Sequence, residues 1–128
     1  MLDFEYNTLW KVIENNSSQL EEIIEQYIKL LSQLTETPVL SKDKFMNNLI
    51  EIKNMGHIYV CYCTNTENKI SIVGSGTIIF EPKIIRNGKS VGHIEDIVVD
   101  EKCRSMGISK RIMENLFALE KLNAIWTN

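Results

Sequence analysis

The chain has 128 residues, a formal net charge of -3, and 44% hydrophobic and 24% charged residues, which bounds it to one ordinary globular domain. A pI near 5.4 argues against a nucleic-acid partner, which wants a basic face, and no apolar run reaches the roughly 20 residues a membrane-spanning helix needs. The start lacks a basic segment leading into an apolar one, so the expectation is a cytoplasmic protein whose three cysteines stay reduced.

Residues 9–13, Leu-Trp-Lys-Val-Ile, allow a short first strand ahead of a polar turn. Ser18 and Glu21 have capping-box spacing and open an amphipathic helix marked by Leu20, Ile23, Ile24, Tyr27, Ile28, Leu30, Leu31 and Leu34. Thr35-Glu-Thr-Pro38 ends it, because the residue before a proline resists helical geometry. A second helix is predicted from Ser41, as N-cap, to Asn54, with Gly56 closing it. A β meander follows. Residues 57–63 are rich in strand formers, 64–69 form a polar turn, and 70–80 form a second strand. Gly74 and Gly76 share one face of that strand, which suggests close approach of a ligand or another backbone. Asn87-Gly88 predicts a hairpin turn joining an extension of that strand, residues 83–86, to a strand over 91–99.

That last strand is apolar from Ile94 to Val99 except at Glu95 and Asp96. Period-two geometry puts the two carboxylates on opposite faces. A strand so flanked should be largely buried, where an unpaired carboxylate is costly; either both have partners or they are there for chemistry. Arg104-Ser-Met-Gly107-Ile-Ser109 then enters a helix whose apolar residues are Ile108, Ile112, Leu116 and Leu119. A loop entering a helix presents unpaired amides and the positive end of the helix dipole, which makes an anion site suited to a pyrophosphate. Gly107 permits close approach or a positive φ, and Arg104 adds a permanent charge. The same pattern also fits an ordinary strand-to-helix connection with a surface arginine.

These residues carry a resemblance. Arg104-x-x-Gly107-x-Ser109 after such a strand resembles the acetyl-CoA pyrophosphate loop of the GNAT N-acetyltransferases. The longer run Gly92-His-Ile-Glu-Asp-Ile-Val-Val99, followed by Cys103-Arg104, is similar to the glucosamine 6-phosphate N-acetyltransferase family within them. Leu34-Thr-Glu-Thr37, with Phe45 downstream, and residues 79–85, containing Glu81 and Lys83, match in order, so that the similarity runs from about residue 30 to about 123. The resemblance implies an α+β fold, the GNAT acyl-CoA N-acyltransferase fold: a mixed, mostly antiparallel sheet flanked by helices. That family continues with another strand, a helix carrying an Asn and a Tyr, and a final strand. Residues 124–128 are at most the start of the next strand, so the expectation is a single GNAT domain over residues 1–128 that is short at its C-terminal end.

The resemblance also implies roles. Acetyl-CoA would be the co-substrate, D-glucosamine 6-phosphate the acceptor on the route to UDP-N-acetylglucosamine, and the assembly a homodimer, with no metal. Glu95 and Asp96 would take the amine's proton, directly or through water, and hold the sugar hydroxyls; structural carboxylates paired with Lys or Arg are the alternative. Ile97, Val98 and Val99 would offer backbone groups to the pantetheine arm, and a bulge there would aim an N–H at the thioester oxygen. Arg104, Ser105, Met106, Gly107, Ile108 and Ser109 would cradle the pyrophosphate, with Ser109 standing where the family usually has Gly or Ala. Thr35, Lys83, Ile84, Ile85 and Arg86 would bind the phosphosugar, although Lys83 and Arg86 also read as solvated hairpin charges and Thr35 as a helix terminator.

The family's Tyr near the leaving sulfur belongs to the helix not present here, and Tyr6, Tyr27, Tyr59 and Tyr62 fall elsewhere. Thiolate protonation is then left to water, or activity is poor, or the chain is a fragment. Two rivals stay open: a GNAT enzyme for another amine, and a non-catalytic module that binds CoA or dimerises. His57 and His93 with Cys61, Cys63 and Cys103 show no zinc-ligand spacing. Cys61 and Cys63 read as small core hydrophobes on one strand face.

Overall fold

The computed structural model describes residues 3–37 and 39–126, without the side chains of Arg86 and residues 122–126. Strand β1 (Glu5–Thr8), helices α1 (Leu9–Asn15), α2 (Leu20–Leu31) and α3 (Lys42–Met55), strands β2 (Gly56–Thr64), β3 (Ile70–Glu81) and β4 (Val91–Val99), and helix α4 (Ile108–Trp126) follow one another along the chain. The strands form one four-stranded antiparallel sheet in the order β1-β2-β3-β4. Helices cover both faces. Ile23, Ile24, Tyr27 and Leu30 of α2 pack with Ile58, Val60, Ile72 and Val98 on one side; Ile108, Ile112 and Leu116 of α4 pack with Cys61, Val73 and Ile78 on the other.

Several local expectations change. Residues 9–13 are helical and the first strand lies just before them, because the Thr8 side chain accepts from Lys11 N and starts α1. The capping box at Ser18 does not form. Residues Ser17–Gln19 make a 3-10 turn, and α2 has no side-chain cap. Gln19 is spent elsewhere: its amide donates to Asn68 O at 2.6 Å and accepts from Ile70 N at 2.9 Å. Gln26 does the same to Ile70 O and Ile72 N at 2.6 and 2.9 Å. These two amides occupy the edge of β3 beyond the reach of β4, whose pairing stops at Val99 opposite Gly74. Helix α2 ends at Leu31, before Thr35, while Pro38 lies outside the described residues.

Ser41 caps α3 as expected, accepting from Lys44 N at 3.1 Å. Gly56 is extended, with φ 172°, and opens β2 rather than closing the helix through a left-handed turn. A Cβ there would lie 1.9 Å from Ile78 O, so the close approach of the neighbouring strand is what excludes a side chain. Residues 83–86 do not extend β3, which stops at Glu81, where Pro82 supplies no N–H to continue the ladder. Asn87 and Gly88 still take the positive φ values their turn signal implies, 59° and 75°, within a longer connection. Residues 124–126 continue α4 instead of starting a strand, and 127–128 lie outside the described residues. The sheet is antiparallel throughout the described residues, so the parallel pairing implied by a mixed sheet is not among them.

Candidate active site

Strand β4 departs from period two at its centre. Ser75 pairs with Val98 and Thr77 with Glu95, which leaves Asp96 and Ile97 opposite Gly76. This is a bulge, with Asp96 at φ 54°, the left-handed position a glycine commonly takes. The cause is packing. Ile94, Ile97 and Val99 all face α4, and that spacing requires one extra residue after Ile94. Glu95 and Asp96 are therefore both exposed, not buried on opposite faces. Among the described residues β4 pairs only with β3, so its outer edge is open.

Two open grooves lie along β4, one on each side of the bulge. The first, about 620 Å³, is floored by Ile97, Val98 and Val99 and walled by Arg104, Ser105 and Gly107. The start of α4 and, from beyond α2, Gln33 and Leu34 complete it. A short 3-10 turn, Glu101–Cys103, leads into it, with Asp100 accepting from Lys102 N at 3.0 Å and Gln33 accepting from Glu101 N at 3.0 Å. Arg104 Nε donates to Val99 O at 3.3 Å, tying the loop to the strand. Ser105 and Gly107 have φ values of 68° and 77°. The first bond into the helix runs from Arg111 N to Gly107 O at 3.1 Å. The amides of Ile108, Ser109 and Lys110 consequently have no carbonyl four residues back. Together with the helix dipole and Arg104 they form a donor set for an anion.

The second groove, about 530 Å³, is lined by Met55, Phe80, Glu81, Pro82, His93 and Glu95. Here Glu81 accepts from Lys83 Nζ at 2.6 Å and meets His93 Nε2 at 2.6 Å. The Lys83 hydrogen bond, then that of His93, holds the Glu81 carboxyl below its usual range. Anion-accepting amides thus stand at one end of β4, two solvated carboxylates at its bulge, and a Lys83–Glu81–His93 cluster beyond them.

The acetyltransferase (GNAT) family pattern matches residues 21–126. The chain belongs to the GNAT family. Among its curated relatives, the Trypanosoma brucei brucei glucosamine 6-phosphate N-acetyltransferase is 33% identical over 101 residues, covering 79% of this chain and 67% of that protein. The Arabidopsis thaliana glucosamine 6-phosphate N-acetyltransferase is 34% identical over 90 residues, covering 70% of this chain and 60% of that protein. Such matches thus take in three fifths to two thirds of the relatives' length. A solved acetyltransferase from Trypanosoma brucei superposes with a TM-score of 0.77 at 30% identity, covering 95% of this chain and 78% of that one. The solved Arabidopsis thaliana enzyme gives 0.76 at 26% identity, covering 95% and 77%.

On this GNAT framework, Ile97, Val98, Val99, Arg104, Ser105, Gly107, Ile108 and Ser109 come together around the first groove. Met106 does not: it is 57% exposed and absent from the lining. Glu95 lines the second groove, and Asp96 lies between the two. Thr35 is exposed one residue beyond Leu34. Lys83 is held by Glu81, Ile84 and Ile85 are 96% and 70% exposed, and the Arg86 side chain lies outside the described residues.

Gly74 and Gly76 make room for protein rather than ligand. Added Cβ atoms would lie 2.8 Å from Ile108 Cγ2 and 2.5 Å from Ile97 Cδ1 respectively. Gln33, Lys110 and His93 are lining residues that spacing alone did not indicate; adjacency to Leu34, to Ser109 and to Glu95 along the strand was the available signal. Cys61, Cys63 and Cys103 are buried in the core on the α4 side. Burial pushes all three thiols up, Cys61 to about 11, which suits packing and not nucleophilic attack. No helix among the described residues is long and apolar enough to cross a membrane.

Proposed function

We propose that the chain transfers the acetyl group of acetyl-CoA to the amine of D-glucosamine 6-phosphate, giving N-acetyl-D-glucosamine 6-phosphate and CoA on the route to UDP-N-acetylglucosamine. The observation that carries this is the placement, along one strand, of an anion-accepting helix start and a carboxylate-bearing bulge. Relatives at 33% and 34% identity bear the name of that activity. Arg104 and the amides of residues 108–110 hold the cofactor's diphosphate, and the edge of β4 at Ile97, Val98 and Val99, where Arg104 takes the Val99 carbonyl, runs beside its pantetheine arm. The amide at the bulge polarises the thioester carbonyl. Glu95 or Asp96 takes a proton from the sugar ammonium, directly or through water, and the free amine attacks the thioester carbon. The C–S bond breaks as the nitrogen gives up its second proton to water, and that water passes a proton to the departing thiolate. Lys83, Ile84, Ile85 and Arg86, with Thr35, surround the phosphosugar. The protein works as a cytoplasmic homodimer with no nucleic-acid or membrane partner.

Thiol release from acetyl-CoA, measured with glucosamine 6-phosphate and then with polyamines and peptide amines, tests this reading. Turnover with the phosphosugar is expected. Turnover with another amine alone replaces the substrate, and CoA binding with no turnover replaces the enzyme by a binding module.

A further inference from the structure

Tyr27 carries a phenol that the reaction above leaves unused. Its ring meets Phe45 edge-on at 6.0 Å between centroids and 77° between planes, within the core on the α2 side. Its hydroxyl pairs with Ser75 Oγ at 3.1 Å, where Ser75 has 0% of its surface exposed, and the Thr77 hydroxyl lies beside it. Burial pushes the phenol up to about 12, and the Asp96 carboxylate is close enough to add to that shift. A buried hydroxyl pair adds little net stability over two apolar groups of the same shape. Its reason is to be sought in what it holds.

Ser75 and Thr77 are the two β3 residues flanking Gly76, against which β4 bulges. A non-glycine residue at φ 54° persists only where its surroundings over-determine it. On the α4 side, Ile97 Cδ1 fills the space above Gly76, where a Cβ would lie 2.5 Å away. On the α2 side, Ser75 donates to the Tyr27 hydroxyl, so side chains reach the β3 segment opposite the bulge from both faces.

We propose that Tyr27 is a positioning residue: through Ser75 and its neighbour Thr77 it holds β3 in register against the bulge, and so sets the direction of the Asp96 carboxylate and the Ile97 amide. The catalytic consequence rests on the reading that these groups act on the amine and the thioester; the structural one does not.

The test uses Tyr27→Phe, Ser75→Ala and the double variant in the full chain. Tyr27→Phe orphans a buried hydroxyl and lowers the Tm. The double variant removes the Ser75–Tyr27 pair, leaves only the Thr77 hydroxyl at that position, and recovers most of the Tm. If Tyr27 positions the bulge, the left-handed signature of Asp96 in its Cα and Cβ chemical shifts is averaged in Tyr27→Phe and stays averaged in the double variant. The kcat for glucosamine 6-phosphate falls about tenfold in both, while KM for acetyl-CoA moves less than twofold. Recovery of kcat and of the Asp96 shifts together with the Tm overturns the proposal, as does an Asp96 signature unchanged in Tyr27→Phe. If the wild-type protein acetylates no phosphosugar, the activity reading has failed, and the shifts alone still decide whether Tyr27 holds the bulge.

Discussion

Gly107→Ala separates two things a glycine can supply. A Cβ built at Gly107 meets nothing within 4 Å, so the substitution adds no clash, yet φ stands at +77°. That conformation costs a residue bearing a Cβ about 1–2 kcal/mol. If a cofactor's diphosphate is gripped by the loop as it stands, the liganded protein carries the whole cost, and its unfolding free energy falls by about 1–2 kcal/mol. The free protein carries the cost only while the loop keeps its shape. Where the loop relaxes, free-state stability returns and the same quantity appears as weaker binding, about 5- to 30-fold in Kd. Urea unfolding with and without saturating acetyl-CoA, combined with calorimetric titration, measures all three quantities. The loss in the free protein and the loss in binding should sum to the loss in the liganded protein. A liganded protein as stable as wild type would refute the argument that acetyl-CoA requires this loop in its left-handed form.

Glu95→Gln and Asp96→Asn ask which carboxylate takes the amine's proton: one of them should lower kcat about 10²- to 10⁴-fold, and no loss in either would remove both from that role. Asp96→Gly should keep the bulge and relieve about 1 kcal/mol of left-handed strain while deleting the carboxylate, so a raised Tm is expected, with activity following that of Asp96→Asn, and a lowered Tm contradicts the bulge's backbone requirement. Gly76→Ala forces a Cβ to 2.5 Å from Ile97 Cδ1 and 2.8 Å from Ile112 Cγ2; denaturant melts should show a loss of about 1–3 kcal/mol. Burial raises the Tyr27 pKa from 10.0 to about 12, so the folded chain holds that proton more tightly than the unfolded one. Its contribution is complete below pH 10 and disappears as pH climbs to about 12, a loss of about 3 kcal/mol; Tyr6 is raised to about 12 as well, so Tyr27→Phe should reduce, and not abolish, the loss seen in melts recorded across that window.

Local chemistry was the legible part of this chain. The Arg104–Gly107 loop, the helix start at Ile108, the Ser41 cap and the positive φ values of Asn87 and Gly88 depend on neighbours a few residues away, and all are in place. What failed to show was decided at long range. The Ser18 box lost to a 3-10 turn, while Gln19 is taken up by bonds to residues 49 and 51 positions away. The glycines at 74 and 76 announced a close approach, but not that the approaching groups belong to Ile97 and to a helix some thirty residues further on.

The bulge lies between these cases. Strict alternation would align Ile94, Asp96 and Val98 on one face and bury a carboxylate among Ile78, Ile112 and Leu116. The core instead takes Ile94, Ile97 and Val99, since a backbone strain of about 1–3 kcal/mol is smaller than the cost of an unpaired carboxylate in an apolar interior. Two polar residues between Ile94 and Ile97 already break period two, so the irregularity was readable. Which residue would turn left-handed was not, because that depends on Gly76 from one face and on Ser75, held by Tyr27, from the other.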